Sequence, residues 1–274
     1  MKNKLKIVGG YTILFIQSII LLLITILTVF RLTIFDKNYI KDELNKNDYY
    51  KKLNKEIKTE MTYYTNQSGF EDAVVDDIFS LTDIKNTTNS FISSVYNGEV
   101  YNINTSQIEE KLTNNINKYI ESENFQVVNQ EDLDKFVKQI SSVYSDEITL
   151  MGYLDKVCVY IPKVIDYTDY ALVLLFAIFV LLLILNEKTF KRRNYSVIAY
   201  TCAFILLFTI IGIRSTIDIK NLLIYSKTIS ETFISIIKYL FNTFLLISLI
   251  YVGIGLTTDL VKKEKKRRHR KTTI

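Results

Sequence analysis

Four long apolar stretches dominate the hydropathy pattern of this chain. The predicted spans are residues 7–34, 170–186, 194–213 and 233–258. About 20 apolar residues cross the hydrocarbon core of a bilayer. Because the backbone must satisfy its own hydrogen bonds there, each stretch is predicted to be a helix rather than a strand. The first is too long for the apolar part of a cleaved signal peptide, so we expect it to stay as an anchor.

Between the first two spans, residues 35–169 carry apolar positions at helical spacing. The clearest stripe is Ile108, Leu112, Ile116 and Ile120, which places one apolar residue per turn on one helix face. Helices are predicted after Asp48, near Glu71, after Asp83, after Thr105 or Ser106, and after Asn129. Pro162 marks a hinge or the first turn of the segment that enters the second span. The pattern therefore predicts an all-α protein in which a helical domain is inserted between the first and second transmembrane helices.

The basic residues near the ends of these spans predict the orientation of the chain. They are Lys2, Lys4 and Lys6 in residues 1–6; Lys188, Lys191, Arg192 and Arg193 in the 187–193 loop; and eight Lys and Arg residues in the 259–274 tail. By the positive-inside rule these three segments are cytoplasmic, together with both termini. Residues 35–169 and the 214–232 loop then face outward. Residues 36–169 contain 24 acidic residues against 14 lysines, so the outer domain is acidic.

Composition excludes several kinds of chemistry. The chain has 274 residues, a net charge of +5, two cysteines and one histidine. Since Cys158 lies in the inserted domain and Cys202 within the third span, that domain contains no internal disulfide. With His269 of the basic tail as its single histidine, the chain cannot build a His-based zinc site or a Ser-His-acid triad. We therefore expect a non-enzymatic protein without a cofactor, a metal centre or a nucleic-acid partner.

Two groups of polar residues are candidate sites. Asp72, Asp76 and Asp77 form an acidic cluster in which Asp72 and Asp76 would lie one helical turn apart and could share a cation. The commoner interpretation is a solvated helix start with acids near the positive end of the dipole. Within the spans, Gln17, Lys238 and Asn242 could line a path for a substrate or ion. The commoner interpretation is that Lys238 reaches the headgroups, while Gln17 and Asn242 bond across helices.

The basic tail is the strongest electrostatic feature. Its cations are Lys262, Lys263, Lys265, Lys266, Arg267, Arg268, Arg270 and Lys271. A cluster of this size directly after a membrane helix favours contact with anionic lipid headgroups. The tail is therefore predicted to anchor the cytoplasmic end of the fourth helix.

Residues 68–98, which read SGFEDAVVDDIFSLTDIKNTTNSFISSVYNG, carry a family resemblance. Set between the first apolar stretch and the three later ones, this segment resembles uncharacterised four-pass membrane proteins of low-GC Gram-positive bacteria. The resemblance implies a bacterial cell membrane and brings no activity or site residue with it. A composition rich in Lys, Ile, Asn and Tyr points the same way.

Together these features lead to two functional hypotheses, with a membrane-embedded enzyme as a residual third. The first is a multi-pass membrane protein whose acidic helical domain binds an envelope protein or another ligand, in a sensing, scaffolding or accessory role. The second is a subunit of an oligomeric transporter or channel that uses Gln17, Lys238 and Asn242. Protein partners or further copies of the chain are expected in both.

Overall fold

Every secondary-structure element in the described part of the chain is a helix. A computed structural model describes residues 2–124, 129–150, 158–190, 195–216, 218 and 226–271, and they contain no strand. The helices are α1 (Lys2–Arg31), α2 (Lys37–Lys46), α3 (Tyr49–Gln67), α4 (Leu81–Asn97), α5 (Ser106–Ser122), α6 (Gln130–Thr149), α7 (Ile161–Leu185), α8 (Tyr195–Thr216) and α9 (Lys227–Lys271). A 3-10 turn covers Asp72–Val75, and a π-helical turn covers Asn186–Phe190.

The chain divides into two compact units. One comprises Met1–Asp36, Ile165–Leu222 and Phe233–Ile274, and we call it the membrane unit. The other comprises Lys37–Val164 and Leu223–Thr232, and we call it the insert unit. The first turns of α7 and α9 are thus assigned to the insert unit, although the rest of both helices belongs to the membrane unit.

Among the described residues, four helices are long and apolar enough to cross a membrane. These stretches are Val8–Arg31, Ile161–Lys188, Tyr195–Thr216 and Lys227–Glu264. This finding confirms the prediction of an all-helical, multi-pass membrane protein. The helices α7 and α9 extend beyond the predicted spans, since α7 begins at Ile161 and α9 runs without a break for 45 residues.

Packing within the membrane unit is uneven. Helix α1 packs against α8 and against the π-helical turn. In contrast, the apolar side chains of α7 are mostly exposed, with Val173 at 72% and Leu181 at 64% of full exposure. Arg31 of α1 is paired with Asp169 of α7, and the Arg31 Nε donates to the Asp169 Oδ1 at 2.7 Å. Exposed apolar side chains on membrane helices are surfaces for lipid or for another helix.

The insert unit has a single apolar core. Helix α3 packs against α4 and α6, and α5 packs against α6. The fully buried side chains include Ile57 and Met61 of α3, Leu112 and Ile116 of α5, and Ile140 of α6. The predicted α5 stripe therefore faces this core, with Ile120 only partly buried at its end. Pro162 lies in the first turn of α7, as predicted, where its missing N–H costs no hydrogen bond.

The predicted helix near Glu71 is wrong. It is a single 3-10 turn that ends at Val75, because Asp76 is extended at ψ 140° and Asp77 is left-handed at φ 57°. Val74, Val75 and Ile78 are nevertheless buried, so the apolar positions were identified correctly and the backbone connecting them was not. The carboxylates of Asp72 and Asp76 consequently do not lie on one turn of a helix.

Two predicted caps are corrected. Asp48 makes no side-chain cap bond and is left-handed at φ 53°, since the preceding α2, which the apolar pattern did not predict, ends only two residues earlier. For α4 the N-cap is Ser80, whose hydroxyl accepts from the Asp83 N–H, while the Asp83 carboxylate accepts from the Ser80 N–H at 2.8 Å. This capping box lowers the pKa of Asp83.

Candidate functional site

A seam of polar side chains runs between α1, α8 and α9 of the membrane unit. The Cys202 thiol donates to the Ser18 carbonyl at 3.0 Å, and the Ser18 hydroxyl donates to the Leu14 carbonyl. Further along α1, the Thr25 hydroxyl donates to the Leu21 carbonyl. Because its hydrogen is used there, the Tyr251 hydroxyl must be the donor in the bond between the Thr25 and Tyr251 hydroxyls. These bonds hold α1 to α8 and to α9 without charged groups, as is common between membrane helices.

Gln17, next to Ser18 on α1, makes no such bond within the described part of the chain. Its side chain is fully buried, and neither the amide nitrogen nor the amide oxygen has a hydrogen-bond partner among the described residues. The Asn186 Oδ1 at the start of the π-helical turn is buried and unpaired in the same sense. An unpaired amide in an apolar interior costs about 1–3 kcal/mol. Gln17 is therefore the sequence-predicted residue whose position most favours contact with a water molecule or polar ligand.

Helix α8 also contacts α9 through Tyr200. The Tyr200 ring lies against Gly255, and a Cβ at that glycine would come within 2.5 Å of the ring. The Tyr200 hydroxyl donates to the Asp259 Oδ2 at 3.4 Å. Hydropathy alone did not indicate this contact, because a tyrosine and a glycine carry no signal of their pairing.

Lys238 and Asn242 lie far from Gln17. The Phe30 and Phe244 rings are 6.3 Å apart, which puts the α9 stretch holding Lys238 and Asn242 near the C-terminal end of α1. Phe30 is 13 residues, about 20 Å of helix, beyond Gln17. Both α9 side chains are exposed, and the Asn242 Oδ1 accepts from the Arg214 Nη2 at 2.9 Å. The structure therefore does not bring the three predicted intramembrane residues together.

An apolar groove occupies the same end of the membrane unit. Its volume is about 390 Å³, and α1, α8 and α9 line it with residues that include Phe30, Ile213 and Phe241. Thr209 is the one lining residue with a polar side-chain atom. Helical spacing alone predicts an apolar face on one helix. A groove forms only where the apolar faces of three helices leave space between them.

The acidic cluster lies on the surface of the insert unit. Asp72, Asp76 and Asp77 are exposed, and the Asp72 Oδ1 accepts from the Asn66 amide at 2.8 Å. Across the described residues, no group of three or more His, Cys, Asp or Glu side chains is arranged to hold a metal ion. The basic tail continues α9 as a helix to Lys271. Its side chains from residue 265 onward lie outside the described part, as do residues 191–194 of the predicted cytoplasmic loop.

A polar depression follows α4 of the insert unit. It has a volume of about 460 Å³, and its lining includes Lys41 of α2 and Asn86, Asn89, Ser93 and Asn97 of α4. The Lys41 Nζ donates to the Ser93 Oγ at 2.7 Å, and its partial burial lowers the pKa of Lys41. The Tyr50 hydroxyl donates to the Asn89 Oδ1, and burial raises the pKa of Tyr50 to about 12. Exposed amides and hydroxyls on one helix face offer hydrogen bonds to a polar ligand or a protein loop.

The first turn of α9 is bound to α3 within the insert unit. The Glu56 carboxylate accepts from the Thr228 hydroxyl at 2.7 Å and from the Ser226 hydroxyl at 3.1 Å. The Lys52 Nζ bonds the Glu231 carboxylate at 2.7 Å. Ile229 packs against the core of the unit. We call residues 226–232 the docked turn; the sequence pattern indicated only a loop here, because the partners lie about 170 residues away along the chain.

Comparison with models of known protein families, with curated proteins and with solved structures finds no match for this chain.

Proposed function

We propose that this chain is a non-enzymatic, multi-pass protein of the cell membrane, in which the insert unit faces the extracytoplasmic side. There it binds an envelope protein or another ligand and acts in sensing, scaffolding or as an accessory subunit. The distribution of Lys and Arg around the four apolar helices supports this orientation, with both termini in the cytoplasm. In this arrangement the basic tail contacts anionic lipids at the cytoplasmic surface.

The docked turn is the observation that carries the proposal. Through Glu56, Lys52 and Ile229, the insert unit holds the start of the same helix that continues through the membrane unit and into the basic tail. A partner that shifts α3 would change the bonds at the start of α9. Large exposed apolar surfaces on α7 also favour association with other membrane helices, as an accessory subunit or an oligomer would need.

Thiol labelling in intact cells tests the orientation. Cys158 and Cys202 are both buried, so the chain has little reactive background. An Asn86→Cys variant should react with a membrane-impermeant maleimide before the cells are permeabilised. Labelling only after permeabilisation would contradict the proposed orientation.

Site-specific photocrosslinking tests partner binding. A photoreactive residue at Asn86 or Asn97 lies in the polar depression, whereas Asn117 is also an exposed asparagine but lies on α5 outside it. In native membranes, we expect one protein to be captured from both positions in the depression and not from the Asn117 control. Capture of the same set of proteins from all three positions would count against a ligand surface on α4.

Removing the Glu56 carboxylate should release the docked turn. A hydrogen bond to a charged group contributes about 1.5–3 kcal/mol. We expect Glu56→Ala to raise amide hydrogen exchange of residues 229–232, the hydrogen-bonded amides of the docked turn, at least about tenfold, with other helices of the insert unit unchanged. Glu60→Ala, one turn along α3, is the matched control because Glu60 makes no hydrogen bond to the described residues of the docked turn. Equal exchange in both variants would refute a specific contribution of Glu56.

The buried, unpaired Gln17 amide favours a second candidate function, a subunit of an oligomeric transporter or channel. Ionisable and amide groups inside a membrane protein often line a path for a polar solute. Solute or ion flux in liposomes that falls in a Gln17→Leu variant would favour this function. Flux is not expected to depend on Lys238, since its exposed side chain lies on the α9 stretch near Phe30, which is itself about 20 Å of helix beyond Gln17.

A further inference from the structure

The apolar groove of the membrane unit has positive charges at one end. Arg31 and Arg214 lie in the last turns of α1 and α8, directly after the groove residues Phe30 and Ile213. Lys238 directly follows a third groove residue, Ile237 of α9. The other end of the groove, at Leu22 and Ile205, has no such neighbours. The groove is therefore amphipathic along its length.

Two of these cations are available for a ligand. Arg31 is paired with Asp169. The Arg214 guanidinium instead lies 5.5 Å from the centre of the Phe241 ring and donates to the Asn242 Oδ1. Lys238 is three residues before Phe241 and four before Asn242, so it lies on the same face of α9 as both. Neither Arg214 nor Lys238 forms an ion pair with any carboxylate that the structure describes.

The Arg214 guanidinium reaches this face of α9 from α8, so it and Lys238 are like charges whose mutual repulsion an anion between them would offset. The adjoining groove offers no hydrogen-bonding side chain except Thr209, and its 390 Å³ is within the range of about 300–1,000 Å³ typical of small-molecule sites. An occupant must therefore combine an anionic head with an apolar chain. Since helix ends carrying Arg lie at the depth of the lipid headgroups, the membrane itself supplies such a molecule.

We propose that this groove binds an anionic phospholipid, with one acyl chain between α1, α8 and α9 and the phosphate on Arg214 and Lys238. Asn242 positions the Arg214 guanidinium by accepting its hydrogen bond, and the Phe241 ring packs against the guanidinium. The proposal depends on the membrane-spanning character of the helices and is independent of any sensing or scaffolding role.

Photoaffinity labelling of the full chain in detergent tests the site. The probes are phosphatidylglycerol and phosphatidylcholine with the same photoreactive acyl chain, and labelled peptides are mapped by mass spectrometry. We expect phosphatidylglycerol to label the groove segments around Leu22–Phe30 and Ile205–Ile213 at concentrations at least about tenfold lower than phosphatidylcholine requires. Labelling spread equally over all exposed helix faces, α7 included, would overturn the proposal.

Variants separate the contribution of the lipid headgroup to binding from that of the acyl chain. Combined Arg214→Ala and Lys238→Ala should remove the preference for phosphatidylglycerol, and Arg214→Lys should retain most of it. Thr209→Trp should block labelling by both lipids. The control is Lys262→Ala with Lys263→Ala, which removes two cations from the opposite end of α9 and should leave groove labelling unchanged. A preference that survives loss of both Arg214 and Lys238 would overturn the headgroup assignment.

Folding and competing occupants are checked in the same samples. Cys202 is buried and bonded to α1, so an unreactive thiol shows that each variant keeps the α1–α8 contact. Competition by inorganic phosphate at millimolar concentration would show that an anion alone suffices and would overturn the phospholipid assignment. Crosslinked dimers joined through the groove would overturn it in favour of a second copy of the chain.

Discussion

Replacing Gly98 with alanine is expected to destabilise the insert unit by about 2–4 kcal/mol, against about 1–2 kcal/mol for the same change at Gly69. Both glycines have positive φ, 76° at Gly98 and 86° at Gly69, so both substitutions carry the backbone strain of a left-handed residue. They differ in their surroundings. A Cβ at Gly98 would lie 2.9 Å from the Pro162 Cγ, whereas a Cβ at Gly69 meets nothing within 4 Å.

The chain contains its own reporter for this measurement. In a Cys202→Ala background the buried Cys158 is the remaining thiol, and its reaction with a thiol-sensitive dye on heating follows unfolding of the insert unit. Pro162→Ala removes the ring atoms that the new Cβ would meet. The extra destabilisation by Gly98→Ala should therefore be smaller in a Pro162→Ala background, and a double-mutant cycle measures this difference as a coupling free energy. Equal melting temperatures for the two glycine variants would refute the proposed contact between the end of α4 and the first turn of α7.

Replacing Gly255 with alanine is expected to destabilise the membrane unit by about 1–3 kcal/mol. Three atoms of the Tyr200 ring would lie between 2.5 and 2.8 Å from the new Cβ, so the ring must rotate away from α9. That movement breaks the hydrogen bond from the Tyr200 hydroxyl to Asp259 and leaves α8 and α9 less well packed. The hydrogen bonds of the polar seam should weaken when the packing of α8 against α9 is lost.

Gly253 supplies the matched control for this second prediction. It lies two residues away on α9, and a Cβ there meets nothing within 4 Å. In a Cys158→Ala background, Cys202 reports unfolding of the membrane unit. We expect dye reaction at a lower temperature for Gly255→Ala and an almost unchanged temperature for Gly253→Ala. The prediction fails if Gly253→Ala destabilises as strongly as Gly255→Ala.

Much of the helical architecture was predictable because it depends on local patterns. The stripe from Ile108 to Ile116 needs only the 3.6-residue period of a helix, and Gly98 after Asn97 is a common helix end. Around Glu71 the same reasoning failed, since Val74, Val75 and Ile78 are buried by a 3-10 turn and an extended segment. Apolar spacing identifies residues that meet a core, and over a few residues it does not distinguish a helix from an irregular backbone.

The candidate site was predictable only in its residue types. Gln17, Lys238 and Asn242 are unusual within apolar stretches, but their contacts depend on which helix face meets a neighbour. Gln17 points into the unit, and Lys238 points out of it. Arg214 was not predicted, although its position after an apolar stretch marks a helix end, because its role requires Phe241 and Asn242 from another helix.

The sequence by itself determined the four membrane helices and the uneven distribution of charge. Both properties follow from short segments and the thickness and polarity of a bilayer, independently of how the helices meet. Only the tertiary structure decided that Gln17 is buried without a partner, that Glu56 binds the docked turn, and that an apolar groove ends at Arg214. Each of these joins residues distant in the chain, and such contacts depend on the packing of whole helices rather than on any local pattern.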